Sequence, residues 1–276
     1  MISIIYSVCF LIYCLIYRIF PGPEFLVIFI LLYSIYIGRT RSFILEWAPF
    51  TILFLGYEAM YSLAGSLTSS VHIVDLINME IRLFGYISTL ILQEYYRNIF
   101  LDYLGTTVYA LHFVLPVAFS LILWRYSVKN FWNWTIAFLL CSYSALATFL
   151  IFPSAPPWFG VNAVRIIYQT TQALGMPTYR TVFDYLSANP FASFPSLHAA
   201  YPWLISIYSI KIYRVKALPV LIPSLLIWFS AVYLGEHYVV DVIGGIIFST
   251  ISFLIVEYFS SFHSLFQNLR QDRTKV

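Results

Sequence analysis

Charge is what this chain has least of. Asp, Glu, Lys and Arg make up 10% of its 276 residues, against about 25% in ordinary soluble domains, and its mean hydropathy is +0.83. Those values exclude a soluble globular domain and define a polytopic membrane protein. Cysteine is scarce as well: Cys9, Cys14 and Cys141 all fall inside apolar runs. Their odd number and irregular spacing exclude a disulfide framework and a cysteine metal motif, and leave the redox compartment open. No internal repeat, low-complexity tract or separate soluble domain interrupts the chain. The net charge is +3, but Lys and Arg sit in short clusters between apolar runs rather than along one face. That pattern is a topology signal and does not point to a nucleic-acid partner.

What is present is a succession of apolar runs. Ile2 to Phe20 has neither a basic leader nor a small-residue cleavage pattern, so it reads as a first span rather than a cleaved signal peptide. Pro21, Gly22 and Pro23 break it, and a second run ends at Gly38, Arg39, Thr40 and Arg41. Residues 1–42 are therefore expected to form a transmembrane hairpin. The third span, Phe43 to Gly65, carries Glu46 and Glu58, which must face protein or water. From His72 to Gln93, Asp75, Asn78, Arg82, Gly85, Thr89 and Gln93 recur every three or four residues, the pattern of one amphipathic helix lying in the interface. Five further spans are expected near Tyr103–Trp124, Phe131–Phe152, Leu197–Tyr213, Leu218–Leu234 and Val239–Phe259. The expectation is an all-α bundle of about eight spans of roughly 20 residues each. It has a six-span core over residues 43–262 and a basic cytoplasmic tail over 263–276. Arg39 and Arg41, Arg125 and Lys129, Lys211 to Lys216 and Arg270 to Lys275 fall on one side, which is then cytoplasmic. The Pro153–Pro195 loop and the turn before the last span share the outer side.

Two polar motifs stand at that outer side. His237 and Asp241 are four residues apart on a helix face, so the carboxylate can bind one imidazole nitrogen and leave the other as a fixed nucleophile. Taken alone the spacing also suits a helix-end ion pair. Upstream, Ser196 is a natural N-cap, and the amides of a helix start can hold phosphate. His198, two residues on, can protonate a leaving oxygen. Pro153, Pro156 and Pro157 stop a span, and Trp158 is an interface anchor. Glu58 and His112 are polar groups within spans. Either could bind a headgroup, but a satisfied intrahelical pair or a water contact is the favoured account of them.

The stretch from Phe194 to His198, with Glu236, His237 and Asp241, resembles the second and third signatures of the type-2 phosphatidic acid phosphatase superfamily. That resemblance implies a phosphohistidine on His237, an acid at His198, an orienting Asp241, Ser196 among the substrate-binding residues, and no metal or other cofactor. Leu197 stands where that pattern has Gly, Ala231 stands where it has Arg, and its first signature is absent. These departures, with Phe152 to Trp158, resemble the inositol phosphorylceramide synthase branch. The resemblance there implies a phosphate-binding basic residue after Trp158: Arg165, with Arg180 as the alternative.

The implied partners are a membrane lipid donor and a second acceptor, either water or an alcohol-bearing lipid or polyol. The acceptor decides between phosphatase and headgroup transferase. Two other readings remain: a transporter, which would set these groups at the bilayer midplane, and a zinc hydrolase built on His198, His237 and Asp241. The oligomeric state is left open.

Overall fold

The computed structural model describes residues 23–67, 70–173 and 189–273. Eleven α-helices appear among them: α1 Pro23–Tyr36, α2 Thr40–Leu67, α3 Val74–Phe84, α4 Ser88–Tyr96, α5 Ile99–Tyr126, α6 Val128–Ile151, α7 Pro157–Gly160, α8 Ile166–Ala173, α9 Leu197–Tyr213, α10 Leu221–Tyr233 and α11 Val239–Arg273. No strand occurs among the described residues, only isolated bridges joining His72, Ser154 and Ala192. The all-α bundle is as expected, and the protein is an integral, multi-pass membrane protein.

Five stretches are long and apolar enough to cross a bilayer: Thr40–Tyr61, Ile99–Tyr126, Val128–Ile151, Leu197–Tyr233 and Val239–Ser261. The fourth is a hairpin. A 3-10 turn, Arg214–Val220, reverses the chain between α9 and α10. Trp228 Nε1 then donates to the Ala199 carbonyl (3.2 Å), Ser224 Oγ to that of Pro202 (2.9 Å), and Ser224 and Ser206 hydroxyls pair at 2.9 Å. Pairing that runs 199 to 228 and 206 to 224 is antiparallel. Of the eight expected spans, Ile2–Phe20 lies outside the described residues. The next contributes α1, of which 14 residues are described.

Helix ends are set locally. Ser127 closes α5 and caps α6, its Oγ accepting from Asn130 N at 3.3 Å, so two spans are joined through one residue. Successive helices alternate in direction, which collects Arg39, Arg125, Lys129, Lys211, Arg214 and Lys216 at one end of the bundle. There Glu46 meets Arg39 at 3.9 Å and accepts from Trp124 Nε1, and Glu257 pairs with Lys211. The side chain of Glu58 lies outside the described residues. The opposite end gathers the start of α9, the end of α10 and the start of α11.

Lipid is as apolar as leucine, so the interior is held by close packing and hydrogen bonds rather than by exclusion of water. Trp47, Phe131, Trp134, Phe138 and Tyr208 are buried together. Two polar edges of this aromatic core are satisfied, Trp134 Nε1 donating to Ser120 Oγ (2.8 Å) and Tyr208 OH to the Asn133 carbonyl (3.0 Å), while Trp47 Nε1 is buried without a partner. Such bonds contribute about 0.6 kcal/mol each inside a membrane bundle. Large side chains such as Ile52, Ile136, Ile151 and Leu254 point outward, as lipid-facing residues should.

The expected interfacial helix is two helices. Gly85, at φ +82° as the C-cap of α3, ends the first, and Ser88 starts α4. Nor is its polar stripe one wet face. Thr89 is buried, and Gln93 is tied to Val164 and Tyr233 by three bonds of 2.8 to 2.9 Å. Buried Glu80 accepts from Val240 N at 3.1 Å, capping the start of α11 from a neighbouring element.

Candidate active site

The turn between α10 and α11 carries His237, and the start of α9 carries His198. Small residues bring the two together. A Cβ on Gly245 would overlap the Ser196 carbonyl, and one on Gly244 would meet the Phe194 ring at 2.5 Å. Ser196 N donates to the Asp241 carbonyl at 3.0 Å, locking the two motifs main chain to main chain. Gly235, at φ +84°, makes the turn before His237 and has its Cα against the Val164 carbonyl, which a side chain would strike at 2.7 Å.

His237 is buried, with its two ring nitrogens in different surroundings. Nδ1 lies 3.1 Å from the Ser193 carbonyl and 3.6 Å from Asp241 Oδ2, while Nε2 lies 3.3 Å from His198 Nδ1. A carbonyl accepts only, so Nδ1 carries the proton and Nε2 keeps its lone pair. Asp241 is fully buried, and its Oδ2 accepts from Ser193 Oγ (2.6 Å) and Tyr238 N (2.8 Å). Ser193 therefore bonds to both members of the His-Asp pair.

His198 is half-buried, and Nδ1 is also 3.2 Å from Tyr109 OH. Its ring is stacked on Tyr109 at 4.0 Å and lies 4.0 Å from the ring of His112. Both come from one face of α5, three residues apart. Ser196 is the N-cap of α9, its Oγ accepting from Ala199 N at 3.3 Å. Its side chain is fully buried and engaged in that cap, rather than displayed toward an anion.

Arg165 is at the same end but already holds a partner. Its Nε donates to Glu236 Oε1 at 2.7 Å and its Nη2 to Oε2 at 3.1 Å, a bidentate pair that sits one residue from His237. The guanidinium also stacks over Trp158 (4.5 Å) and Tyr168 (4.1 Å). Burial works against its charge, but the Glu236 carboxylate outweighs burial and holds its pKa above the usual arginine value. Trp158 N bonds to the Gly235 carbonyl (3.1 Å) and Ile166 N to that of Leu234 (3.2 Å), so the loop carrying Arg165 is pinned to the turn carrying His237. Arg180 lies outside the described residues.

Among the described residues no group of His, Cys, Asp and Glu side chains is placed to hold a metal ion. Asp241 and His198 address different nitrogens of the His237 ring, so the three do not converge on one point. The sequence reading missed Ser193 and Tyr109, named Glu236 in the motif without giving it a role, and offered His112 as a headgroup ligand or a locally satisfied group. A carboxylate beside a candidate nucleophile in so apolar a chain was the visible signal for Glu236.

A buried, oriented histidine and aspartate facing a second histidine at one end of a membrane bundle define the class, and comparison agrees. The chain belongs to the PAP2 superfamily, whose model matches residues 74–255. Among curated proteins it is 28% identical over 240 residues to the phosphoinositol dihydroceramide synthase of Bacteroides thetaiotaomicron, covering 79% of this chain and 78% of that one. It is 29% identical over 121 residues to the inositol phosphorylceramide synthase catalytic subunit AUR1 of Saccharomyces cerevisiae (39% of this chain, 29% of that one). With the inositol phosphorylceramide synthase of Candida albicans the identity is 28% over 173 residues, 57% and 36% of the two lengths. No solved structure matches the chain significantly.

Proposed function

We propose that the protein is a membrane phosphotransferase that moves a phospho-headgroup, favoured as inositol phosphate, from a lipid donor to the hydroxyl of a second lipid. The carrying observation is the His237 ring, with Nδ1 tied to Ser193 and facing Asp241 while Nε2 is turned to His198. In the first step Nε2 attacks phosphorus, the bond to the donor oxygen breaks, and the imidazolium form of His198 gives that oxygen its proton. Asp241 offsets the positive charge that develops on His237. In the second step the acceptor hydroxyl attacks, its proton passes to His198, and the bond between phosphorus and Nε2 breaks. No metal or other cofactor enters either step.

Two observations favour transfer between lipids over cleavage of a phosphomonoester. Three of the similar proteins carry synthase names, while a fourth is named a PA-phosphatase related-family protein. Glu236 also balances the charge of Arg165 beside His237, and that balance suits a singly charged phosphodiester better than a dianion. With the basic clusters at the opposite end, this end faces the outside of the membrane.

The test is incubation of purified protein with headgroup-labelled phosphoinositide and an alcohol-bearing lipid. The expected result is labelled headgroup on the acceptor and an acid-labile phosphate adduct that disappears in His237→Asn. Release of labelled inositol phosphate into water as the main product would make water the acceptor and the protein a hydrolase. An adduct on His198 that survives His237→Ala would reverse the two roles.

A further inference from the structure

Gln93 has no part in the steps above, and its spacing in the sequence puts it on a polar helical stripe. In the structure its amide is built into the back of the site. Nε2 donates to the Val164 carbonyl and to the Tyr233 carbonyl, both at 2.9 Å, and Oε1 accepts from Val164 N at 2.8 Å. Both donors of the amide and one of its acceptor positions are thus used, all on main-chain atoms of segments 71 and 140 residues away. Two carbonyls at one end and an N–H at the other also fix which way round the amide lies.

The place of those bonds carries the inference. A helix leaves its last four carbonyls without partners inside the helix. At the end of α10 the turn itself takes three of them: Ser230 accepts from Leu234 N, Ala231 from Glu236 N and His237 N, and Val232 from Gly235 N. The fourth, Tyr233, accepts from Gln93. The next two carbonyls, Leu234 and Gly235, accept from Ile166 N and Trp158 N. A side chain from α4 therefore completes the row of bonds that lays the Arg165 segment along the His237 turn. Glu236 fixes the far end of the Arg165 side chain, and Gln93, holding Val164 by both N–H and carbonyl, fixes the main chain from which Arg165 springs. We propose that Gln93 is a positioning residue for Arg165: by binding Val164 and Tyr233 together it holds the guanidinium where a phospho-headgroup approaching His237 meets it.

This rests on the proposed phosphotransfer and on a substrate contact by Arg165, and a double-mutant cycle keeps the three apart. Gln93→Met keeps the length of the side chain and removes all three bonds. Labelled-headgroup transfer and thermal melts are measured for Gln93→Met alone and in the Arg165→Met with Glu236→Leu background, where no guanidinium remains to be positioned. The expected result is at least a tenfold loss of transfer in the parent and less than a threefold further loss in that background, with a similar fall in melting temperature in both. Gln93→Glu, which keeps the acceptor for Val164 N and loses both donors, is read the same way if the methionine variant does not assemble. The same fold-loss in both backgrounds, or less than a threefold loss in the parent, overturns the proposal and leaves Gln93 a structural clamp. If the Arg165→Met with Glu236→Leu protein itself transfers within threefold of the parent, the Arg165 contact falls and takes this role with it. A parent that forms no labelled product removes the phosphotransfer reading and everything resting on it.

Discussion

Replacing Arg165 with Ala removes two things at once, and the structure allows them to be separated. Glu236 has a side chain only 6% exposed and receives both of its charged bonds from Arg165. Without the guanidinium, a buried carboxylate is stranded, a change that typically costs about 3–5 kcal/mol out of a total stability of about 5–15 kcal/mol. Arg165→Ala is therefore expected to unfold at markedly lower temperature in detergent, whatever its role in catalysis. Replacing both partners with apolar residues of similar volume, as in Arg165→Met with Glu236→Leu, removes the stranded charge, and such exchanges are often neutral or better. If Arg165 also contacts the phospho-headgroup, the stable double variant still lacks a charge-assisted bond worth about 1.5–3 kcal/mol. Turnover should then fall about ten- to a hundredfold. Arg165→Lys should lie between, since it keeps the charge and loses the planar fork. The measurements are a thermal melt and labelled-headgroup transfer on the same preparations. A double variant that is stable and within threefold of the parent in turnover would refute a substrate contact and leave Arg165 as a purely structural partner of Glu236.

Topology and packing give two more tests. A cysteine placed at Asn162, next to the loop that carries Arg165, is expected to react with impermeant reagents added from outside the cell. Labelling only from the cytoplasmic side would invert the assigned orientation. Gly245→Ala puts a methyl into the Ser196 carbonyl and should cost about 1–3 kcal/mol as overpacking, with a larger fall in turnover because His198 moves. Gly85→Ala, at φ +82° but in open space, should cost only about 1–2 kcal/mol of backbone strain and leave turnover alone. Equal turnover in the two variants would argue against the close approach of α9 and α11.

The parts of this site that could be read from sequence are those specified over a few residues. His237 and Asp241 are four apart, Ser196 caps the helix that His198 opens, and the basic clusters recur between apolar runs. What escaped detection depends on contacts between distant segments or on main-chain atoms. Arg165 and Glu236 are 71 residues apart, and Tyr109 reaches His198 across 89. The acceptor for His237 Nδ1 is the carbonyl of Ser193, which any residue type would supply. Gly85 was visible, but counting it as a small polar position hid its use as a left-handed helix end, and a single interfacial helix was expected where two exist. Gln93 and Thr89 then looked like a wet stripe, although each bonds to the segment behind the site.

Asp241 shows why the two motifs work only as a unit. Its carbonyl accepts from Ser196 N, and its Oδ2 accepts from Ser193 Oγ and Tyr238 N while facing His237 Nδ1 at 3.6 Å. One residue thus ties together the start of α9, the segment leading into it and the turn that carries His237, the proposed nucleophile. Donors from Ser193 and Tyr238 satisfy Oδ2 of this deeply buried carboxyl, while Oδ1 is buried without a partner. Glu80 secures the same helix start from the interfacial side by accepting from Val240 N. His237 Nε2 and His198 Nδ1, 3.3 Å apart, are therefore carried by elements tied to one another through main-chain bonds. That distance is a hydrogen bond with no room for phosphorus between the rings, so the proposed in-line attack requires the His198 ring to swing aside as the donor enters, while the frame keeps the His237 ring oriented.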